Sequence, residues 1–424
     1  MVWGLGVGYV ISGNYFGWNL GLQQGGTIGL AIAIAFVIVM YVTFTYSYAE
    51  LACAIPKAGG AFDYASKALG KDVGFVAGMA QIIEFVFAPP AIALAIGSYM
   101  NLFFPAISGL VFSIIAYFIF TGLNIYGVKA AAMVELVVTA IAVCGLLLFA
   151  GVALPNVSMA NLTMNGLPHG ISGIFAAIPF AIWFFLGIEG IANLAEETVD
   201  PKKTMSRGFL AALFTLILLC FLTFVGASGI SGWEAIVVQN DGTTSDSPLP
   251  MALEIIHGTD SWTYTFLVVV GLFGLVASFH GLMLAAGRAS FEFGKINFPK
   301  NPIGKIHTRF QTPANALFIN MTIGIVALFT GRTGEIITIA VIGALTLYCI
   351  SMVSVIALRR NSPHLERPFR VPFYPVFPLV ALGIAVTSLI AVTVYNMILS
   401  LLFVLIIGVC FGIFRIRKSP EANE

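Results

Sequence analysis

The stretch Pro179-Phe180-Ala181-Ile182-Trp183-Phe184-Phe185-Leu186-Gly187-Ile188-Glu189-Gly190 is apolar enough to lie inside a bilayer, yet it carries two glycines and a carboxylate. Glycine frees the backbone from helical geometry, and an unwound turn bares N–H and C=O groups that hydrocarbon cannot satisfy. Such backbone is tolerated at bilayer depth only where it is buried in protein or lines a cavity. A second interruption, Ser12-Gly13-Asn14, lies in the first apolar run, with Gly17, Gly21, Gly25 and Gly26 beyond it. Gly13 and Gly187 are 174 residues apart. Paired interruptions of this kind point to a binding site between two structural repeats; the alternative is that the glycines only ease helix packing.

Composition agrees with a membrane chain. Of 424 residues, 59% are hydrophobic and 9% charged, against about 25% charged in soluble domains. The net charge of +1 offers no basic footprint for nucleic acid. A helix needs about 20 apolar residues to cross the hydrocarbon. That ruler gives spans near 3–25, 29–55, 73–104, 107–126, 131–154, 171–195, 208–230, 263–291, 314–331, 335–358, 375–394 and 396–416. The first begins almost at Met1 with no basic leader, so it is expected to be a span and not a signal peptide. The five cysteines, Cys53, Cys144, Cys220, Cys349 and Cys410, lack metal-ligand spacing and read as buried small hydrophobes.

Twelve spans put every Lys and Arg except Arg332 on one side, from Lys57, Lys67 and Lys71 through Lys129, Lys202, Arg288, Lys300 and Arg359 to Lys418. The positive-inside rule makes that side cytoplasmic, with both termini inside. Loop 231–262 carries Glu234, Asp241, Asp246, Glu254 and Asp260 without a base, as an external loop can. Each break then opens a five-span half (1–154 and 171–358), and an odd number of spans inverts the second half. Residues 359–424 add two peripheral spans and a short tail.

Buried charge is the second pointer, because a carboxylate inside a span is costly and functional by default. Glu84 lies mid-span in Gln81-Ile82-Ile83-Glu84-Phe85-Val86-Phe87-Ala88-Pro89-Pro90, where the prolines should kink the helix. No Lys or Arg lies at mid-depth to pair with it, so Glu84 is either protonated or partnered by a ligand cation. Glu189 follows the second break and is a candidate for gating or coupling; Glu135, near the end of its span, reads as structural. His280 could carry protons or be a hydrogen-bonded core histidine. Tyr15, Phe16, Trp18, Trp183, Phe184 and Phe185 cluster at the breaks, where ring faces can attract an ammonium or simply pack.

These motifs resemble those of the amino acid–polyamine–organocation transporters. Tyr48-Ala49-Glu50-Leu51, Pro56-Lys57-Ala58-Gly59-Gly60 and Tyr64 resemble that family's signature after helix two. Phe184 to Glu189, then Glu196-Glu197-Thr198-Val199-Asp200-Pro201-Lys202-Lys203, resemble its helix-six signature and loop. Arg288, Lys305 to Arg309 with Thr312-Pro313, and Arg367-Pro368-Phe369-Arg370-Val371-Pro372 follow in the family's order. The resemblance implies an all-α leucine-transporter-type fold: twelve transmembrane helices, two inverted five-helix repeats, and broken helices one and six. Within the family, Gly8-Tyr9-Val10-Ile11-Ser12-Gly13-Asn14-Tyr15-Phe16-Gly17-Trp18-Asn19 is most similar to ethanolamine permeases. The family's amino acid carriers imply a substrate carboxylate held at Ser12, Gly13 and Asn14 and an ammonium on carbonyls at Tyr9, Trp183 and Leu186, with Gly187 at the break a further substrate-binding position. In arginine–agmatine exchangers the residue at the position of Glu84 is small and uncharged, so Glu84 is the expected anion for an amine without a carboxylate. Some proton-coupled relatives carry a Lys deep in helix five, which this chain lacks.

The expectation is a permease in the cytoplasmic membrane importing ethanolamine or a similar small amine by alternating access, with no cofactor and possible coupling to a proton or cation gradient. A general amino acid permease is the rival. An intramembrane enzyme lacks support, since no HExxH or GxSxG near a His occurs.

Overall fold

The structure, a computed structural model, describes residues 2–127, 131–198, 200–239, 242–298 and 301–418. Met1, Lys129, Val199, Asp241 and Lys300, and the side chains of Glu197, Arg417 and Lys418, lie outside the described residues. The helices are α1 (Val2–Val10), α2 (Ser12–Tyr15), α3 (Leu20–Ala54), α4 (Ala61–Leu69), α5 (Lys71–Phe103), α6 (Gly109–Tyr126), α7 (Ala131–Ala153), α8 (Met159–Thr163) and α9 (Gly170–Ala176). They continue as α10 (Ile178–Trp183), α11 (Pro201–Ser228), α12 (Pro248–His257), α13 (Trp262–Asn297), α14 (Ala314–Leu328), α15 (Thr333–Asn361), α16 (Val376–Tyr395) and α17 (Met397–Lys418). A 3₁₀ segment, Ile188–Glu197, completes the pass begun by α9 and α10. The fold is all-α, with one isolated bridge, Val238 to Thr244, among the described residues.

Among the described residues ten passes are long and apolar enough to cross a membrane, and α14 is a shorter apolar helix. The interrupted α1, α2 and start of α3 supply the remaining pass, in keeping with twelve. The boundary between the first two passes sits at Gly26, where α3 bends through non-helical geometry. Of the apolar windows, 78% is buried in Lys71–Phe103, Gly170–Glu196 and Thr333–Asn361, against 17% in Met397–Ile416. The first three therefore form the inner bundle, and α17 gives its apolar face to lipid, as membrane helices do.

The central contact is α5 on α15, with α13 on another side of α5. Gly343 makes it possible: a Cβ there would lie 2.7 Å from the Ala80 carbonyl oxygen and 3.0 Å from the Glu84 nitrogen. This close approach fixes Glu84 in the middle of the bundle.

Two expectations change. Ser12, Gly13 and Asn14 are helical, and Ile11 keeps helical φ and ψ; the chain leaves the helix at Phe16 and Gly17. The conformational load falls on Gly17, at φ 85°, while Gly13 serves close approach. Helix α5 runs on through Pro89 and Pro90. Cys144 is exposed and Cys349 and Cys410 are half-buried, so only Cys53 and Cys220 are core cysteines.

Candidate functional site

The two breaks meet. A Cβ on Gly13 would collide with the Trp183 carbonyl oxygen and approach Phe184 Cα to 3.2 Å, so only glycine fits between the two chains. Trp183 Nε1 donates to the Phe16 carbonyl at 3.1 Å, and the Phe16 and Trp183 rings pack edge to face. Trp18 stacks on Phe184 and donates through Nε1 to the Asn14 carbonyl at 3.3 Å. Beyond Trp183 the chain turns through Phe184–Gly187, and Gly187 at φ 96° starts the 3₁₀ segment. That left-handed geometry is costly for any residue with a Cβ.

The turn delivers Glu189 to Glu84. Both side chains are fully buried, and their carboxyls lie within hydrogen-bonding reach of each other. Tyr348 from α15 donates its hydroxyl to Glu189 Oε2 at 2.8 Å, and the Tyr41 hydroxyl lies 3.0 Å from that of Tyr348. With both acids ionised, neither Glu84 oxygen nor Glu189 Oε1 has a donor. Among the described residues no Lys, Arg or His acts on either carboxyl. Gln81, one turn from Glu84, donates to Asn193 Oδ1 at 3.2 Å, and Asn193 donates to the Ala58 carbonyl at 2.7 Å. Both polar atoms of the fully buried Asn14 side chain lack a protein partner. Buried polar atoms are nearly always satisfied, so the orphaned Asn14 side chain is a candidate partner for a polar ligand.

The remaining candidates divide. The Ser12 amide donates to Ser278 Oγ at 2.9 Å, and Ser278 donates to the Gly8 carbonyl at 2.6 Å, so α13 already occupies that donor. Tyr9 packs its ring on Gly190 and Gly281 and lines a cavity of about 550 Å³ with Asn193, Glu196, Glu135, His280 and Arg288. Leu186 is buried in the turn. His280 is distant in role from the carboxyl pair: its Nδ1 lies 3.1 Å from Glu135 Oε2. Tyr348, Tyr41, Asn193 and Ser278 escaped the sequence reading. A tyrosine hydroxyl buried inside a span must find a partner, and that signal could have found Tyr348.

The cavity opens among the basic loops. On the opposite side, Asn19 Nδ2 donates to the Ser245 carbonyl at 2.8 Å and Thr333 donates to Asp246 Oδ2 at 2.7 Å, seating loop 231–262 over the breaks. A second cavity, of about 400 Å³ and lined by Leu20, Gln24, Thr244, Thr333 and Asn396, lies on that side, and neither cavity is lined by Asn14, Glu84 or Glu189. The class defined is a multi-pass membrane protein with a buried polar centre where two interrupted helices meet. The sequence profile described as amino acid permease matches residues 3–419, and the chain belongs to that family. An uncharacterized transporter of Rhizobium meliloti is 27% identical over 92% of this chain and 85% of its own length. The methylthioribose transporter of Bacillus subtilis is 25% identical over 80% and 75% of the two chains. The low-affinity putrescine importer of Escherichia coli is 26% identical over 80% and 76%. The chain is a secondary transporter and not an enzyme.

Proposed function

We propose that this permease carries a small primary amine, with ethanolamine the leading substrate, across a cytoplasmic membrane by alternating access. The observation that carries the reading is the Glu84–Glu189 contact, a buried pair of carboxyls with no Lys, Arg or His acting on it among the described residues. An ammonium there would make charge-assisted hydrogen bonds in low dielectric, with Trp183 beside the break as a ring face for its carbon chain. Asn14 completes the site, its orphaned side chain being suited to a hydroxyl. The basic loops face the cytoplasm in this reading, so the 550 Å³ cavity opens inward.

The test is uptake of labelled ethanolamine, putrescine and leucine into proteoliposomes, with Glu84→Gln beside the wild type. Removing one partner of a buried charge pair costs about 2–5 kcal/mol, roughly 30-fold or more in affinity. Glu84→Gln should weaken the amines on that scale and spare leucine. Equal losses for all three would make Glu84 structural, and uptake of leucine alone would replace the amine reading with a general amino acid carrier.

A further inference from the structure

We infer that the Glu84–Glu189 pair is also the proton site, and that one ammonium exchanges for one proton there without net charge movement. This rests on the amine reading above. Two carboxyls in contact cannot both be ionised, because like charges at that range in low dielectric repel too strongly. A single uncompensated negative charge in a dry site also carries several kcal/mol of desolvation cost. Glu84 and Glu189 are both fully buried, so the empty pair is lowest in energy as two neutral acids hydrogen-bonded to each other. An entering ammonium supplies the missing cation. One acid then ionises, its proton leaves, and the site's charge is again zero: one positive charge enters as R–NH₃⁺ and one departs as H⁺.

Among the described residues the titratable groups around the pair are tyrosines, and from α1 Tyr9 packs on Gly190 beside Glu189. From α15 the facing titratable group is Tyr348; from α3 they are Tyr41 and Tyr48, all fully buried. From α5 the nearest polar neighbour is Gln81, already on Asn193. From α13 the histidine, His280, is turned to Glu135, while Leu282 packs over Gly187. The released proton has a short way out. Segment Ile188–Glu197 carries Glu189 near one end, and its Asn193, Leu194 and Glu196 line the 550 Å³ cavity.

Because proton and ammonium compete for one pair, neither can be carried with the other on the same half-cycle. The coupling is exchange by mutual exclusion, and it needs no relay elsewhere in the protein.

The experiment is calorimetric titration of the purified full-length protein with ethanolamine, in buffers of different ionisation enthalpy between pH 6 and 8.5. The expected result is about one proton released per ethanolamine bound and a Kd that tightens about tenfold per pH unit. Leucine, neutral as a zwitterion, should bind without release if it binds. Ethanolamine binding with no proton release, or with a pH-independent Kd, overturns this inference and leaves the amine reading standing. Absence of binding by both ethanolamine and putrescine overturns the amine reading, and the inference falls with it. Residual binding by the Glu84→Gln/Glu189→Gln double variant must release no proton; continued release places the proton elsewhere. In proteoliposomes an imposed potassium–valinomycin potential should leave wild-type ethanolamine–proton exchange unchanged, so acceleration by potential also overturns the inference.

Discussion

Trp183 Nε1 lies 3.1 Å from the Phe16 carbonyl oxygen, so the indole of one break satisfies the bared backbone of the other. The two interruptions are thus one structure, closed by a side chain. Trp183→Phe keeps an aromatic ring but leaves that carbonyl without a donor. An unsatisfied buried polar group costs about 1–3 kcal/mol, so thermal stability in detergent should fall on that scale and ethanolamine transport with it. A variant as stable and active as wild type would show that the bond holds nothing.

Gly13 gives a sharper case of close approach. A Cβ there would strike the Trp183 carbonyl oxygen, and backbone cannot yield as a flexible side chain does. Gly13→Ala should separate the breaks and depress ethanolamine binding at least tenfold, more than it lowers membrane expression. Gly122→Ala, at a position with open space around it, is the control and should change neither. Equal behaviour of the two variants would remove the Gly13 contact from the site.

How far the sequence reached depends on what each residue interacts with. Hydrophobic length and the one-sided basic residues reveal spans, because each is a property of a single segment against a bilayer. Gly187 was legible for the same reason: a glycine and an acid inside an apolar run admit few explanations. The Glu84–Glu189 contact was not legible, since it joins residues of different passes and depends on how closely Gly343 lets α15 approach α5. Ser12–Asn14 misled because glycine has two uses, unwinding and close packing, and sequence does not separate them; the structure assigns Gly17 to the first and Gly13 to the second.

Glu50 stood out in the sequence as part of a motif, and the structure supplies its physics. Arg359 holds it bidentately, Nε to Oε1 at 2.8 Å and Nη2 to Oε2 at 2.6 Å, and the Val371 amide donates to Oε2 at 2.7 Å. Arg367 Nε adds a contact at 3.4 Å, with the Glu50 side chain 3% exposed. Breaking a buried pair by removing one charge costs about 3–5 kcal/mol. Glu50→Gln should therefore destabilise the basic end of the bundle on that scale in detergent denaturation, while any surviving folded protein binds ethanolamine normally. A weaker Kd with unchanged stability would reverse the assignment from structure to site.

Glu135 and His280 tie α7 to α13 beside Gly8 of α1. A Cβ on Gly8 would fall 2.7 Å from Thr139 Oγ1 and 2.8 Å from Glu135 Oε1, so α1 is seated directly on this polar cluster. Gly8→Ala should unseat α1 and slow transport severalfold while changing ethanolamine Kd less than about threefold, because the carboxyl pair is untouched. Comparing equilibrium binding with initial transport rates checks this. A parallel loss in both would place Gly8 in the binding site.

Asp246 makes the seating of loop 231–262 on Thr333 sensitive to pH. Its carboxyl, in the loop outside the spans, is pushed from an ordinary 3.8 up to about 6 by burial, partly offset by the hydrogen bond from Thr333. A raised value means that the seated loop favours the neutral acid. The stabilisation of that seating is complete below the ordinary value and is lost as pH rises through about 6. Above that, ionised Asp246 gains by leaving for water, and the loop should lift from Thr333. Spin labels at Thr243 on the loop and Asn396 at the end of α16, in lipid nanodiscs, would report the distance between them across pH 5 to 8. The expected result is a short, narrow distribution at the acid end that broadens to longer distances with a midpoint near 6. Asp246→Asn, which keeps an acceptor for Thr333 without a titrating group, should hold the short distance at every pH. A wild-type distribution that does not change with pH, or an Asp246→Asn variant that still titrates, would place the control of this seating in another group.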